Sequence, residues 1–175
     1  MKNFDISRFR ILIVDDNAFM REILTQILRS FHISKIAQAD NVKEAYSKLK
    51  IFNPDLILVD WEMKPLSGLE FIKMVRSGEG DHDRYVPIIM CTEFSEHYRI
   101  TEARDAGINE LIVKPVSVNL VYTRIMAIVD RPRPFVDSPN YFGPDRRRKQ
   151  IKFDGKEQRS QELDIEIETL EDADY

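Results

Sequence analysis

Along the first 130 residues, short apolar runs alternate with segments whose apolar positions recur at helical spacing. Residues 11–14, ILIV, form a β-branched run that stops at Asp15 and Asp16, and this predicts a strand. Phe19, Ile23, Ile27 and Leu28 then recur at helical spacing up to about Ser30. Residues 35–39 predict a second strand, and 42–52 a helix with Ala45, Leu49 and Phe52 on one stripe. A third strand, residues 56–59, stops at Asp60. Residues 69–75 predict a helix, 87–90 a strand, and 100–106 the end of another helix, closed by Gly107. Residues 111–113 predict the fifth strand and 118–129 the fifth helix. Strands alternating with helices imply parallel strands joined by crossovers. Apolar runs without in/out alternation imply a sheet covered on both faces. The predicted fold is α/β: a doubly wound five-stranded parallel sheet with five helices.

Beyond Asp130 the pattern changes, which divides the chain into residues 1–130, 131–150 and 151–175. The middle segment, RPRPFVDSPNYFGPDRRRKQ, is rich in proline and arginine and unsuited to a helix. It is expected to be an irregular extension. Residues 161–175 carry acids and no base, which predicts a flexible acidic tail.

Composition adds mainly exclusions. The chain has 175 residues and a formal net charge of −4, so general attraction to nucleic acid or anionic lipid is not expected. Its single cysteine, Cys91, excludes an intramolecular disulfide framework, and His32, His82 and His97 stand isolated, with no zinc-ligand spacing. No apolar run is long enough to span a membrane, and MKNFDISRFR lacks a signal-peptide core. A cytoplasmic protein without membrane insertion is the expectation.

In doubly wound sheets, ligands bind beyond the carboxyl ends of the strands. There the sequence places Asp15 and Asp16, then Asp60, then Thr92, then Lys114 followed by Pro115. Crowded carboxylates repel, and a hard divalent cation such as Mg²⁺, with oxygen ligands, relieves the repulsion. An aspartate beside it can act as nucleophile and form an aspartyl-phosphate. A hydroxyl and an ammonium can neutralise the phosphoryl oxygens. Each element alone is weak; five at successive strand ends form a constellation.

These residues resemble the receiver domain of two-component response regulators, in particular the stand-alone CheY-like type. The resemblance spans roughly residues 8–130 and rests on VDDN, DWEM…SGLEF and VKP. It implies Asp60 as phosphoacceptor, Thr92 and Lys114 as phosphoryl-binding and switch residues, and a Mg²⁺ shell of Asp15, Asp16, Asp60 and the backbone carbonyl of Glu62. It also implies a cis Lys114–Pro115 bond and a sensor histidine kinase or other phosphodonor as partner. Three positions depart from the family pattern. Lys64 stands where a proline is usual, with Pro65 after it; Glu93 replaces a small residue after the switch hydroxyl; and Leu111 replaces the aromatic three residues before the lysine. Leucine cannot exchange an exposed polar tip for a buried one, so the chemistry reads as complete and the usual readout as altered.

The extension carries Phe135, Tyr141 and Phe142, which a solvated linker rarely does. Gly143, Pro144 and Asp145 predict a turn presenting consecutive arginines. Arginine forks bind the O6/N7 edge of guanine and phosphate oxygens, aromatic rings stack on bases, and a carboxylate accepts from guanine's N1 and N2. This stretch resembles the arginine-rich extension of CheY-like regulators that bind cyclic di-GMP and act at the flagellar motor. The resemblance implies a nucleotide site of Arg131, Arg133, Tyr141, Asp145, Arg146, Arg147 and Arg148, and a flagellar motor switch protein as output partner. The alternative is a phosphorylation-driven adaptor whose basic extension docks on a protein without nucleotide. A phosphatase of haloacid-dehalogenase type, with Glu62 as second acid, would turn substrate over; the short chain and the Asp15–Asp16 pair favour a receiver, not an enzyme. No reader motif for DNA is present.

Overall fold

The computed structural model describes residues 5–139 and 141–147. Strands β1 (Arg10–Val14), β2 (Lys35–Ala39), β3 (Leu56–Asp60), β4 (Ile88–Thr92) and β5 (Glu110–Val113) form one five-stranded sheet in the order β2-β1-β3-β4-β5. Every neighbouring pair is parallel. Between them run α1 (Ala18–Ser30), α2 (Val42–Phe52), α3 (Gly68–Ser77) and α4 (His97–Ala106), and α5 (Val118–Asp130) follows β5. The expected doubly wound fold is thus the observed one.

Alternate side chains of each strand enter opposite cores, as the pleat demands. Leu12, Val14, Ile57, Val59, Ile88 and Met90 pack beneath α2, α3 and α4, against residues such as Leu49, Phe71, Ile72 and Ala103. Ile11, Ile13, Leu56, Leu58, Ile89 and Cys91 pack on the other face against Leu24, Leu28, Val121 and Ile125 of α1 and α5. Because both faces are covered, the central strands β1, β3 and β4 need no polar side, which is why they read as unbroken apolar runs.

Helix starts are set locally. Asn17 caps α1 by accepting from Phe19 and Met20, Asn41 caps α2, and Ser67 with Glu70 forms a reciprocal capping box on α3. The strand order reverses between β1 and β3, so the chain leaves these adjacent strands towards opposite faces. The crevice this opens lies at Asp15 and Asp60.

The expectation of an irregular extension is corrected. Strands β6 (Phe135–Ser138) and β7 (Tyr141–Pro144) form an antiparallel two-stranded sheet, with Phe135 opposite Pro144 and Ser138 opposite Tyr141. Gly143 and Pro144 therefore belong to a strand, not to the turn that GPD suggested; the reversal falls between Ser138 and Tyr141. Gly143 is needed for close approach: a Cβ there would sit 2.8 Å from Gly107 Cα. Gly107, in turn, closes α4 at φ 100°. The hairpin thus lies backbone to backbone on the turn between α4 and β5. Arg148 and residues 151–175, with the expected acidic tail, lie outside the described residues.

Candidate functional site

Val14 and Val59 pair in adjacent strands, so the carboxylates that follow them are neighbours. Asp15, Asp16 and Asp60 offer carboxylate oxygens all within 4.8 Å of one another. Asp15 and Asp60 are buried at 1% and 5% exposure, while Asp16 is exposed. Lys114 Nζ lies 2.7 Å from Asp60 Oδ1 and 3.7 Å from Asp15 Oδ2. The cis Lys114–Pro115 bond implied by the resemblance is present, and Lys64–Pro65 is cis as well.

Local bonds hold the rim in place. Asp15 Oδ1 accepts from Asn17 N at 2.8 Å, and Arg21 donates to the Asp15 carbonyl at 2.7 Å. Gly68, in the SGLEF motif, is a second forced glycine: a Cβ there would fall 1.9 Å from the Asp60 carbonyl oxygen. Its amide donates to the Trp61 carbonyl, tying the start of α3 to the segment after Asp60.

Electrostatics at this rim are unbalanced. Burial pushes the Asp60 carboxyl above its ordinary range, against the hydrogen bond and charge of Lys114 and with the charges of Asp15 and Asp16 adding. Burial likewise raises Asp15. Burial would lower Lys114, but its hydrogen bond to Asp60 and the two carboxylate charges outweigh that and raise it. One ammonium among three acids leaves excess negative charge, and Asp15 Oδ2 is buried without a hydrogen-bond partner. An all-oxygen set with an orphaned acceptor fits a hard divalent cation such as Mg²⁺. Asp15, Asp16 and Asp60 are the groups to hold it; Glu62 stands two residues on with its side chain exposed.

Thr92 ends β4 at 1% exposure. Its Oγ1 accepts from Phe94 N at 3.0 Å. The Phe94 ring meets Trp61 edge-on at 5.8 Å, and the Arg99 guanidinium lies 4.3 Å from the Phe94 centroid and 5.5 Å from that of Trp61. Sequence reading missed this stack. An aromatic two residues past the hydroxyl was the available signal, and only the fold reveals its neighbours. Leu111 is partly buried against the core beneath α4, and Glu93 is exposed.

At the opposite end of β4 and β5, the hairpin is docked on the receiver by aromatic and guanidinium contacts. Tyr85 packs edge-on against Phe135 and Phe142, each at 5.1 Å. The Arg84 guanidinium lies 3.3 Å from the Phe142 centroid. Beneath them Arg76, 4% exposed, donates to the carbonyls of Gly107, Arg84 and Val86 and to Asn109 Oδ1. Burial brings its pKa down to about 10, so it stays charged at neutral pH. Nothing in the spacing of Arg76 marked it as the floor of this contact.

The residues expected to bind nucleotide divide accordingly. Arg133 is used internally: it donates to the carbonyls of Asn109 and Asp145 and faces Glu110 at 3.6 Å. Asp145 Oδ1 accepts from Arg147 N at 3.0 Å. Tyr141 donates to the Pro144 carbonyl at 2.6 Å, and Arg146 lies 3.9 Å from the Tyr141 centroid while pairing with Asp105 at 2.7 Å. Arg131, near Asp130 at 3.8 Å, is 90% exposed, and Arg147 is exposed. Phe135 and Phe142, which marked the segment as unlike a solvated linker, pack on Tyr85.

Residues 11–126 match the family described as the response regulator receiver domain. The chemotaxis protein CheY of Pseudomonas aeruginosa is 33% identical over 122 residues, covering 70% of this chain and 97% of that protein. CheY of Bacillus subtilis is 34% identical over 116 residues, covering 66% and 93%. Among solved structures, one from a CheX–CheY–BeF3–Mg²⁺ complex of Borrelia burgdorferi aligns with TM-score 0.64 and 28% identity, covering 69% of this chain and 89% of that one. The family match ends before the hairpin. No helix among the described residues is long and apolar enough to cross a membrane.

Proposed function

The chain belongs to the response regulator receiver family, and from that premise we propose that it is a Mg²⁺-dependent phosphoacceptor with a second, nucleotide input. Asp60 takes a phosphoryl group from a sensor histidine kinase or a small phosphodonor, and the C-terminal extension takes cyclic di-GMP. The output goes to a protein partner such as a flagellar motor switch protein, in keeping with the chemotaxis relatives. The observation that carries the first part is the convergence of three carboxylates within 4.8 Å, with Lys114 at 2.7 Å from Asp60.

In the transfer, an Asp60 carboxylate oxygen attacks phosphorus. The bond from phosphorus to the donor breaks, and acetate or neutral histidine leaves with the electron pair. Burial strips water from the carboxylate, and Lys114 keeps it ionised and then meets the phosphoryl oxygens. Thr92 donates its hydroxyl to one of them, since Phe94 N occupies only an acceptor lone pair of Oγ1. Bound Mg²⁺ supplies charge neutralisation for the carboxylates and the incoming phosphoryl group.

Support for the nucleotide input is the cationic surface at the hairpin, where Arg146 rests on Tyr141 and Arg131 and Arg147 reach solvent. The protein-docking alternative uses the same surface without nucleotide.

Trp61, 5% exposed and adjacent to Asp60, gives the test of the acceptor site. Titration with MgCl₂ is expected to quench its emission saturably in the intact protein and not in Asp60→Asn. Equal quenching in both would deny Asp60 a part in holding the metal, since Asp15 and Asp16 remain in the variant, and would count against Mg²⁺-dependent chemistry at Asp60.

A further inference from the structure

The hairpin and the receiver body border an open surface cleft of about 330 Å³ whose walls include Lys73, Ser77, Arg84, Asp137, Tyr141 and Phe142. Resting on the cyclic di-GMP reading above, we infer that this cleft seats one guanine–phosphate half of the dinucleotide. In it, Lys73 and Arg84 of the receiver body take the phosphate and Asp137 of the hairpin takes the base. The site is then composite, formed only when the extension is docked.

Four observations lead there. First, size: the volume lies at the lower end of small-ligand pockets, enough for half of a two-fold dinucleotide and too little for all of it. Second, polar lining: Lys73 brings one cation and Ser77 a hydroxyl, one helical turn apart on α3 and on the same wall, and both are exposed. Third, Arg84 is poised. Its guanidinium carbon lies over the Phe142 ring, 3.3 Å from the centroid, and its Nε is buried without a hydrogen-bond partner. A guanidinium held on a ring is pre-organised to present its donor edge to a phosphate oxygen.

The fourth is the acid. Guanine offers N1–H and N2–H donors, whose match is a carboxylate. Asp145, the acid singled out from the sequence, has one oxygen on Arg147 N, and its neighbourhood is held by Arg133. Asp105, the other acid lining the cleft, is paired with Arg146. Asp137 is exposed on β6 at the cleft wall. Adenine has no N1–H, so a carboxylate here selects guanine over adenine.

Calorimetric titration of cyclic di-GMP and cyclic di-AMP into the full chain and into Lys73→Ala, Arg84→Lys and Asp137→Asn tests this. Wild type is expected to bind cyclic di-GMP. Lys73→Ala and Arg84→Lys are expected to weaken it by about tenfold each, the order of one charge-assisted contact. Asp137→Asn should lower the preference for cyclic di-GMP over cyclic di-AMP. Lys73 and Asp137 are exposed, so those two variants keep the fold even if Arg84→Lys loosens the hairpin. Wild-type affinity and selectivity in all three variants would overturn the cleft as the seat and leave the nucleotide reading standing. Absence of binding by wild type would overturn the nucleotide reading, and this inference with it.

Discussion

At Asp60, burial raises the carboxyl, the hydrogen bond and charge of Lys114 oppose it, and the charges of Asp15 and Asp16 add to it. A more ordinary pair at the other pole of the sheet shows the contrast. Asp55 accepts from Arg10 N, Nε and Nη2 at 2.8, 3.2 and 2.9 Å. The side-chain hydrogen bond from Arg10 leads the causes that hold its carboxyl below the ordinary 3.8. A carboxyl depressed in the folded state adds stability above its unfolded value and loses it as pH falls through the folded one. Asp55→Asn is therefore expected to lower the melting temperature by a few degrees at neutral pH. The gap to wild type should close below pH 3.8, as followed by circular dichroism, and a gap unchanged by acid would deny the ion pair its role. Thr92, Phe94, Trp61 and Arg99 form a chain of contacts from the end of β4, beside the carboxylate rim, to α4.

Among the elements, the hairpin depends most on a single backbone contact. Gly143 packs on Gly107 so closely that an added Cβ would meet Gly107 Cα at 2.8 Å and Tyr141 Oη at 2.6 Å. Backbone cannot yield as a side-chain tip does, so Gly143→Ala is expected to cost about 1–3 kcal/mol, the usual range for overpacking. Near-UV circular dichroism of the Tyr85 cluster should weaken before the sheet unfolds; an unchanged spectrum and midpoint would refute the docked arrangement. The five strands and five helices were legible because the central strands β1, β3 and β4 are buried on both faces and each meets a polar rim residue at its end. That same rule exposed Asp15, Asp16, Asp60, Thr92 and Lys114. Several elements ran longer than their apolar runs, α4 and β5 among them. Helix α4 begins at His97, and its fully buried residues are only Ala103 and Ala106, so it carries little periodicity. Strand β5 begins with Glu110, which is buried against Arg124 and Arg133. The hairpin was illegible because its prolines and GPD triplet carry turn signals locally, while its strands are set by packing against Tyr85, Arg76 and Gly107, all distant in sequence.

Across the whole molecule, α4 reaches from the Phe94–Arg99 stack beside the carboxylates to the hairpin at Asp105 and Ala106. Arg104 adds a hydrogen bond to the Arg146 carbonyl at 2.9 Å. One helix thus touches both proposed inputs. If each input favours one position of α4, linkage requires that phosphorylation and nucleotide alter each other's affinity by the same factor. All of this rests on Asp60 being a phosphoacceptor. The direct measurement is intact-mass spectrometry after incubation with acetyl phosphate, with and without Mg²⁺, on wild type and Asp60→Asn. The account predicts the mass of a single added phosphoryl group on wild type, dependent on Mg²⁺ and absent from Asp60→Asn. An unmodified wild-type mass in the presence of Mg²⁺, or the same addition on Asp60→Asn, would contradict it.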